Sequence, residues 1–220
     1  MATLKVSSPT VQKDCTCSTA DAIYLTGKST CENLYNLSQT QATSKEDLLR
    51  AVLLFSCSTI DSVGKQLAKD CLKEVIDVDE GAQKIFEEHI SRKIKQQPEK
   101  LLARALSNPD YRGELIKFVI ESIDGTSLQS YQQISELTAK FGIVTDEIIS
   151  QDKAKAVFDA RQKIIHEMDI EVLAESGSRA QRRTRAENEL KQLSEGILEA
   201  ACKLIDNVHK KIHEPRAKDT

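Results

Sequence analysis

Residues 44–72 read SKEDLLRAVLLFSCSTIDSVGKQLAKDCL, and this stretch decides the fold. Its apolar residues recur at steps of three and four, the spacing that places side chains on one face of an α-helix. Ser44 followed by Asp47 resembles a capping box, which marks the start of a helix. Further apolar residues at Leu48, Leu54 and Phe55 widen the apolar face, so we expect a central helix that is buried on most sides. The main stripe consists of Leu49, Val52, Leu53, Ser56, Ile60, Val63, Leu67 and Cys71.

The helical pattern continues toward the C-terminus, where Pro98 suits a first helical turn and Asn108-Pro-Asp110 is a turn and N-cap signal. No internal repeat and no alternating strand pattern is evident. The sequence therefore predicts an all-α helical bundle with a long C-terminal helix. The predicted helices after the central one are residues 80–96, 98–106, 110–123, 126–141, 152–166 and 178–214, and a short turn of helix is predicted at 145–149.

Residues 1–43 differ in composition from the rest of the chain. They are rich in Ser, Thr and Gln with scattered apolar residues, and we expect an arm or an irregular cap. Residues 44–214 form the predicted helical domain, and residues 215–220 a disordered tail.

Composition excludes several classes of function. The 220 residues carry a formal net charge of -3 and contain no Trp and 4% aromatic residues. An aromatic platform for single-stranded nucleic acid is therefore not expected, and any nucleic-acid binding must use a local basic patch. No apolar run approaches the roughly 20 residues of a membrane span, and no secretory signal is evident. We therefore expect a cytoplasmic protein that does not enter a membrane.

The segment Phe158-Asp-Ala-Arg161-Gln-Lys-Ile-Ile-His166-Glu-Met-Asp169 contains the residue types needed to cut RNA without a metal. A histidine titrates near neutral pH and can move the proton of a 2′-hydroxyl or of a leaving group. An arginine can hold a phosphate while negative charge develops on it. Five residues at about 100° each separate the two side chains by roughly 140° on a straight helix. The alternative is therefore an ordinary surface arginine and a partly buried histidine.

This segment resembles the signature of the HEPN superfamily (higher eukaryotes and prokaryotes nucleotide-binding), and the order of the predicted helices from 44 to 212 is similar. The family most often has Asn, Asp or His after the arginine, where this chain has Gln162. The resemblance implies a metal-independent endoribonuclease without a cofactor, in which Arg161, Gln162 and His166 belong to the catalytic centre. It also implies a homodimer whose motifs share a cleft, and a role as a toxin or an anti-phage defence effector.

Two other functions remain open from the sequence. The chain could be a non-catalytic HEPN-like module that binds a nucleotide or a partner protein, such as a nucleotidyltransferase-like protein, and Gln162 favours this alternative. It could also be a plain helical interaction protein. For the ribonuclease, an antitoxin is a further expected type of partner.

Asp61 is a secondary catalytic candidate because it is a carboxylate in the most apolar helix. A buried unpaired carboxylate costs several kcal/mol, so it needs a partner. The resemblance to the HEPN superfamily implies the same role, because many related helices carry an acid at a similar place, where it could face the motif arginine. Alternatively, Asp61 pairs with Lys65 one turn later on the exposed side of the helix.

A basic cluster, Ser178-Arg-Ala-Gln-Arg-Arg-Thr-Arg185, stands out in this acidic chain. On a helix, three of its arginines would share one face and could contact an RNA backbone. The alternative is a solvated start of a helix whose arginines pair with nearby glutamates. The RNA-binding candidates are Arg179, Arg182, Arg183, Arg185 and, within the motif, Lys163.

No metal site is predicted. His209 and His213 lie one helical turn apart, but no further ligand is evident beyond Asp206. The segment Gly27-Lys-Ser-Thr30 resembles the end of a phosphate-binding loop, but it lacks the first glycine and the preceding buried strand.

Overall fold

The computed structural model describes residues 3–10, 16–173 and 179–214. It confirms an all-α helical bundle with a long C-terminal helix, to which one short antiparallel hairpin is added. The predicted tail 215–220 lies outside the described residues. The helices are α1 (Ser18–Thr40), α2 (Lys45–Val78), α3 (Glu80–Gln96), α4 (Pro98–Leu106), α5 (Tyr111–Asp124), α6 (Tyr131–Lys140), α7 (Thr145–Ile148), α8 (Gln151–His166) and α9 (Glu187–His213), and the strands are β1 (Ile170–Leu173) and β2 (Arg179–Arg182).

Helix α2 is the central helix, as its apolar stripe predicts. It is 34 residues long and packs mainly against α1 and α9, with α3, α5 and α8 around it. Leu53, Ile60 and Leu67 are fully buried along its length. The expected capping box is wrong, because the Ser44 side chain makes no cap hydrogen bond. The acidic first turn instead pairs with Arg50, one turn into the helix.

Residues 18–40 form a regular helix, where the sequence suggested an arm or an irregular cap. The buried face of α1 is built from small and aromatic residues that carry a weak apolar signal, among them Ala20, Tyr24 and Tyr35. Gly27 lies directly against Thr59 of α2, where a Cβ atom would overlap the threonine side chain. The close approach of the two backbones gives α1 a large contact with α2 despite its polar composition.

The segment 3–10 runs along α9 and is tied to it by carboxylates. The backbone N–H groups of Lys5, Ser7 and Thr10 donate to side chains of α9 at 2.7, 3.3 and 2.8 Å. The Tyr24 hydroxyl donates to the Ser7 carbonyl at 2.6 Å. This part of the N-terminal region is therefore an ordered cover over α1 and α9.

The predicted last helix begins too early, because its first residues form strand β2 and α9 starts only at Glu187. Strand β1 pairs with β2 in an antiparallel register in which Ile170 opposes Arg182. The strands have four residues each, which is too short for an alternating pattern to be recognised in the sequence. None of the helices in residues 3–10, 16–173 and 179–214 has the length and apolar content needed to cross a bilayer.

Candidate active site

Arg161 lies on the inward side of α8. It is three residues from both Phe158 and Ile164, which are buried, so its side chain starts from the same side of the helix. The residue is half-buried, and its guanidinium donates from Nη1 to Oε1 of Gln129 at 3.2 Å in a hydrogen bond that is exposed to solvent. Burial raises the pKa of the Cys57 thiol on α2 to about 12, and the nearby charge of Arg161 opposes this rise. The arginine is thus held between α2 and the segment before α6.

His166 is the last residue of α8, and its side chain is exposed. A protonated imidazole at this position interacts favourably with the negative end of the helix dipole. Gln162 lies one turn earlier on the same outward side and is also exposed, whereas Lys163 is half-buried. His166 and Gln162 are therefore open to a ligand from solvent.

Within one chain, Arg161 and His166 start from different sides of α8. Their separation of five residues corresponds to roughly 140° around a straight helix. Since α8 is regular as far as His166, no distortion brings the imidazole to the inward side. One chain presents the imidazole outward and the guanidinium toward the bundle.

Asp61 accepts two hydrogen bonds in the structure. Oδ2 accepts from Nζ of Lys65 at 2.9 Å, which is the structural alternative expected from the sequence. Oδ1 accepts from the backbone N–H of Leu128 at 2.7 Å. Because Arg161 donates to Gln129, the next residue, the two catalytic candidates fix adjacent positions of one segment. Both residues thus position the start of α6.

A buried ion network lies directly after His166 and centres on Asp169, which is 1% exposed. Its carboxylate accepts from Nε of Arg50 at 2.9 Å. It also accepts from Nε and Nη2 of Arg185, each at 3.0 Å. Burial alone would raise the pKa of Asp169, but the hydrogen bonds and charges of Arg185 and Arg50 outweigh it and lower the pKa below its usual value. The network joins α2, the end of α8 and the segment before α9.

The turn that carries this network has an unusual backbone. Met168 and Asp169 have φ angles of 51° and 55°, in the left-handed region that non-glycine residues seldom adopt. The Asp169 N–H donates to the Lys163 carbonyl at 2.9 Å, and the Asp169 carbonyl accepts from Arg183 N–H at 2.6 Å. Such a conformation persists only where surrounding contacts determine it. The network therefore sets the exit of the chain from α8 and, with it, the position of His166.

The arginine cluster is not the helical basic face that the sequence suggests. Arg179 and Arg182 lie on strand β2, and their side chains are outside the described part of the structure. The Arg183 carbonyl accepts from Nη2 of Arg50 at 2.7 Å. Arg185 is 9% exposed and also donates from Nη1 to Glu189 at 2.9 Å. Two carboxylates therefore already pair with the Arg185 guanidinium, and its assignment to RNA binding stays a prediction.

Sequence reasoning missed an apolar surface around the histidine. Ile165, Met168 and Ile170 are 39%, 65% and 44% exposed, and all three lie within four residues of His166. Large apolar side chains grouped in this way on a surface often mark an interface with another molecule. These three apolar residues can be recognised in the sequence, but the exposure of their side chains depends on the turn at Asp169.

Metal ligands do not gather at this site. The rings of His209 and His213 on α9 lie 4.4 Å apart between centroids. Across residues 3–10, 16–173 and 179–214, no three His, Cys, Asp or Glu side chains are grouped as a metal site would require.

Comparison of the chain with protein-family models, with curated proteins and with solved structures finds no match.

Proposed function

We propose that this protein is a metal-independent endoribonuclease that acts as a homodimer in the cytoplasm. The observation that carries the proposal is the exposed imidazole of His166, held by a buried ion network at the end of α8 and surrounded by exposed apolar residues. Arg161 supplies the permanent positive charge. The resemblance of residues 158–169 to the HEPN signature supports the same assignment.

The chemistry is transesterification within the RNA chain. The 2′-oxygen forms a bond to the adjacent phosphorus, and the bond from phosphorus to the 5′-oxygen breaks. A neutral imidazole accepts the 2′-hydroxyl proton, while a protonated imidazole donates a proton to the leaving 5′-oxygen. The products carry a 2′,3′-cyclic phosphate and a 5′-hydroxyl. Arg161 stabilises the negative charge that builds on the phosphate oxygens.

A dimer supplies both the proton acceptor and the proton donor that the reaction uses. One motif offers a single histidine, whereas the reaction uses a proton acceptor and a proton donor. Two copies supply His166 and His166 of the partner subunit, one neutral and one protonated. The exposed side chains of Ile165, Met168 and Ile170 provide apolar surface that a second copy would cover. Because the hydrogen bond of Arg161 to Gln129 is exposed, the outward imidazole of one protomer can approach the guanidinium of the other in this arrangement.

The test is cleavage of RNA by purified protein in the presence of EDTA. We expect products ending in cyclic phosphate, and we expect His166→Ala and Arg161→Gln to remove the activity. His213→Ala is the matched control, because this exposed histidine lies at the far end of α9 and should leave the activity unchanged. Undiminished cutting by a clean His166→Ala preparation would rule out the assigned role.

A non-catalytic module is the second candidate, and the placement of Arg161 and His166 on different sides of α8 favours it for an isolated chain. A monomer that binds RNA or a nucleotide without cutting it would select this candidate. The biological role as a toxin or defence effector is a separate proposal. It predicts growth arrest of a host cell on expression, relieved by His166→Ala or by an antitoxin partner.

A further inference from the structure

A second site lies away from Arg161 and His166, in a cleft of about 690 Å³ between α3 and α6. Basic groups reach it from both helices. Its remaining walls include the apolar side chains of Ile85, Ile123 and Leu137. The volume is in the range of clefts that bind small organic molecules. The basic groups are His89, Arg92 and Lys93 from α3 and Lys140 from α6.

Arg92, Lys93 and Lys140 form no ion pair with the described residues. Within the part of the chain that the structure describes, no carboxylate is within 4.0 Å of the charged atoms of Arg92, Lys93 or Lys140. Lys140 donates to the backbone carbonyl of Glu136 at 3.1 Å, and the Glu136 carboxylate accepts from Gln132 instead. Burial, followed by the charges of Arg92 and Lys93, lowers the pKa of Lys140, while Glu136 opposes the change. The cleft thus groups three positive charges that form no direct ion pair with the described residues, although Glu88 and Glu136 also line it.

His89 adds a hydrogen-bond donor without an acceptor. Its Nδ1 lies 3.4 Å from Nη2 of Arg92. Since a guanidinium can only donate, Nδ1 must be the accepting nitrogen of a neutral ring, and the proton is on Nε2. Nε2 is buried and has no hydrogen-bond partner among the described residues. An unpaired N–H and three cations together favour the binding of a ligand that accepts hydrogen bonds and carries negative charge.

The charge state of His89 agrees with this geometry. Burial, together with the charges of Lys140, Arg92 and Lys93, lowers its pKa to about 4 against the opposing charge of Glu136. Glu88 is the other carboxylate that lines the cleft. The ring is therefore neutral at pH 7, and both its burial and the three cations favour the neutral form. An anion placed among them would reverse this effect.

We propose that the cleft binds a small organic phosphate monoester, with the phosphate between Arg92 and Lys140 and its organic group against the apolar wall. The phosphate oxygens accept from the guanidinium and the ammonium, next to the His89 ring that lines the same cleft. The site shares no residue with the proposed centre for RNA cleavage, so it does not depend on that function. The segment 128–133 separates the two, because Leu128 and Gln133 line the cleft while Gln129 contacts Arg161.

The experiment is titration calorimetry of the full chain with AMP and ribose 5-phosphate, with adenosine as the uncharged comparison. We expect both phosphates to bind and adenosine not to bind. Arg92→Gln and Lys140→Gln should each weaken binding by about tenfold or more, because each removes a charge-assisted hydrogen bond. Lys95→Gln is the matched control, since it removes a positive charge from the exposed side of α3 outside the cleft and should change affinity less than about twofold.

A spectroscopic measurement keeps the test independent of affinity. NMR titration of the His89 ring should show its pKa rising from about 4 when AMP is added, because the phosphate charge offsets the three cations. Failure of both phosphates to bind at millimolar concentration would overturn the proposal. Equal binding of adenosine, or an equal loss in Lys95→Gln, would also overturn it. If a short RNA occupies the cleft and AMP does not, the cleft is a nucleic-acid contact and the small-ligand proposal is wrong.

Discussion

Replacement of Asp169 tests how strongly the turn after α8 is determined. In Asp169→Ala, the two guanidinium groups of Arg50 and Arg185 lose the carboxylate that they share. Their side chains are 3% and 7% exposed, so water cannot replace the lost partner fully. Removing one member of a buried ion pair typically costs about 3–5 kcal/mol. We expect a loss of free energy of unfolding of this size.

The loss of stability in Asp169→Ala should be measurable by thermal and urea unfolding. For a chain of this size, about 3–5 kcal/mol corresponds to a fall in Tm of roughly 6–20 °C. Asp169→Asn should lose less, because Asn retains an accepting oxygen and tolerates the left-handed backbone. Asp124→Ala is the control, since Asp124 forms an ion pair with Lys69 at 2.9 Å in which both side chains are well exposed, and its loss should leave stability unchanged.

The pH dependence gives an independent measurement. Because the pKa of Asp169 is lower in the folded protein than its ordinary value of 3.8, its contribution is complete above that value and disappears as the pH falls through the folded pKa. Asp169→Asn should reduce the loss of stability in this acid range. If Asp169→Ala unfolds like the wild-type protein, the network does not determine the turn and the reasoning about His166 fails.

Three further predictions concern packing and charge. Gly27→Ala should destabilise the protein by about 1–3 kcal/mol in urea unfolding, because the new methyl group overlaps Thr59, whereas Gly196→Ala, which meets nothing within 4 Å, should stabilise α9 by up to about 1 kcal/mol. His89→Gln should flatten the rise of stability between pH 4 and 6.5, because the folded pKa of His89 is lowered to about 4 and the unfolded chain binds its proton more readily in that window. Arg185→Gln should lower the Tm without changing the salt dependence of RNA binding, and a flatter salt dependence would show that this side chain contacts phosphate after all.

Local patterns predicted most of the helices. The limits of α3 and α4 agree with the apolar periodicity and with Pro98, and Asp110 caps α5 by accepting from the Gly113 N–H at 2.9 Å. Gly142, after α6, adopts the positive φ of 64° that ends a helix. These signals act within a few residues, so they can be recognised in the sequence without knowledge of the fold.

Local patterns failed to predict the parts of the structure that depend on long-range contacts. Helix α1 lacks a strong apolar stripe, and its burial depends on the close approach of Gly27 to α2. The basic cluster looked like a solvated or RNA-binding helix, but Arg185 is buried by a carboxylate 16 residues away. Asp169 carried no distinguishing signal, because its partners come from two distant parts of the chain.

The amino-acid sequence alone determined the helical class, the central position of α2 and the presence of an arginine and a histidine five residues apart. These follow from periodicity and residue chemistry, which are local. The tertiary structure alone decided that His166 is exposed, that Arg161 turns toward Gln129 and that Arg50 and Arg185 converge on Asp169. The physical reason is that burial and charge pairing depend on which segments contact each other in space. Such contacts produce no periodic pattern in the sequence.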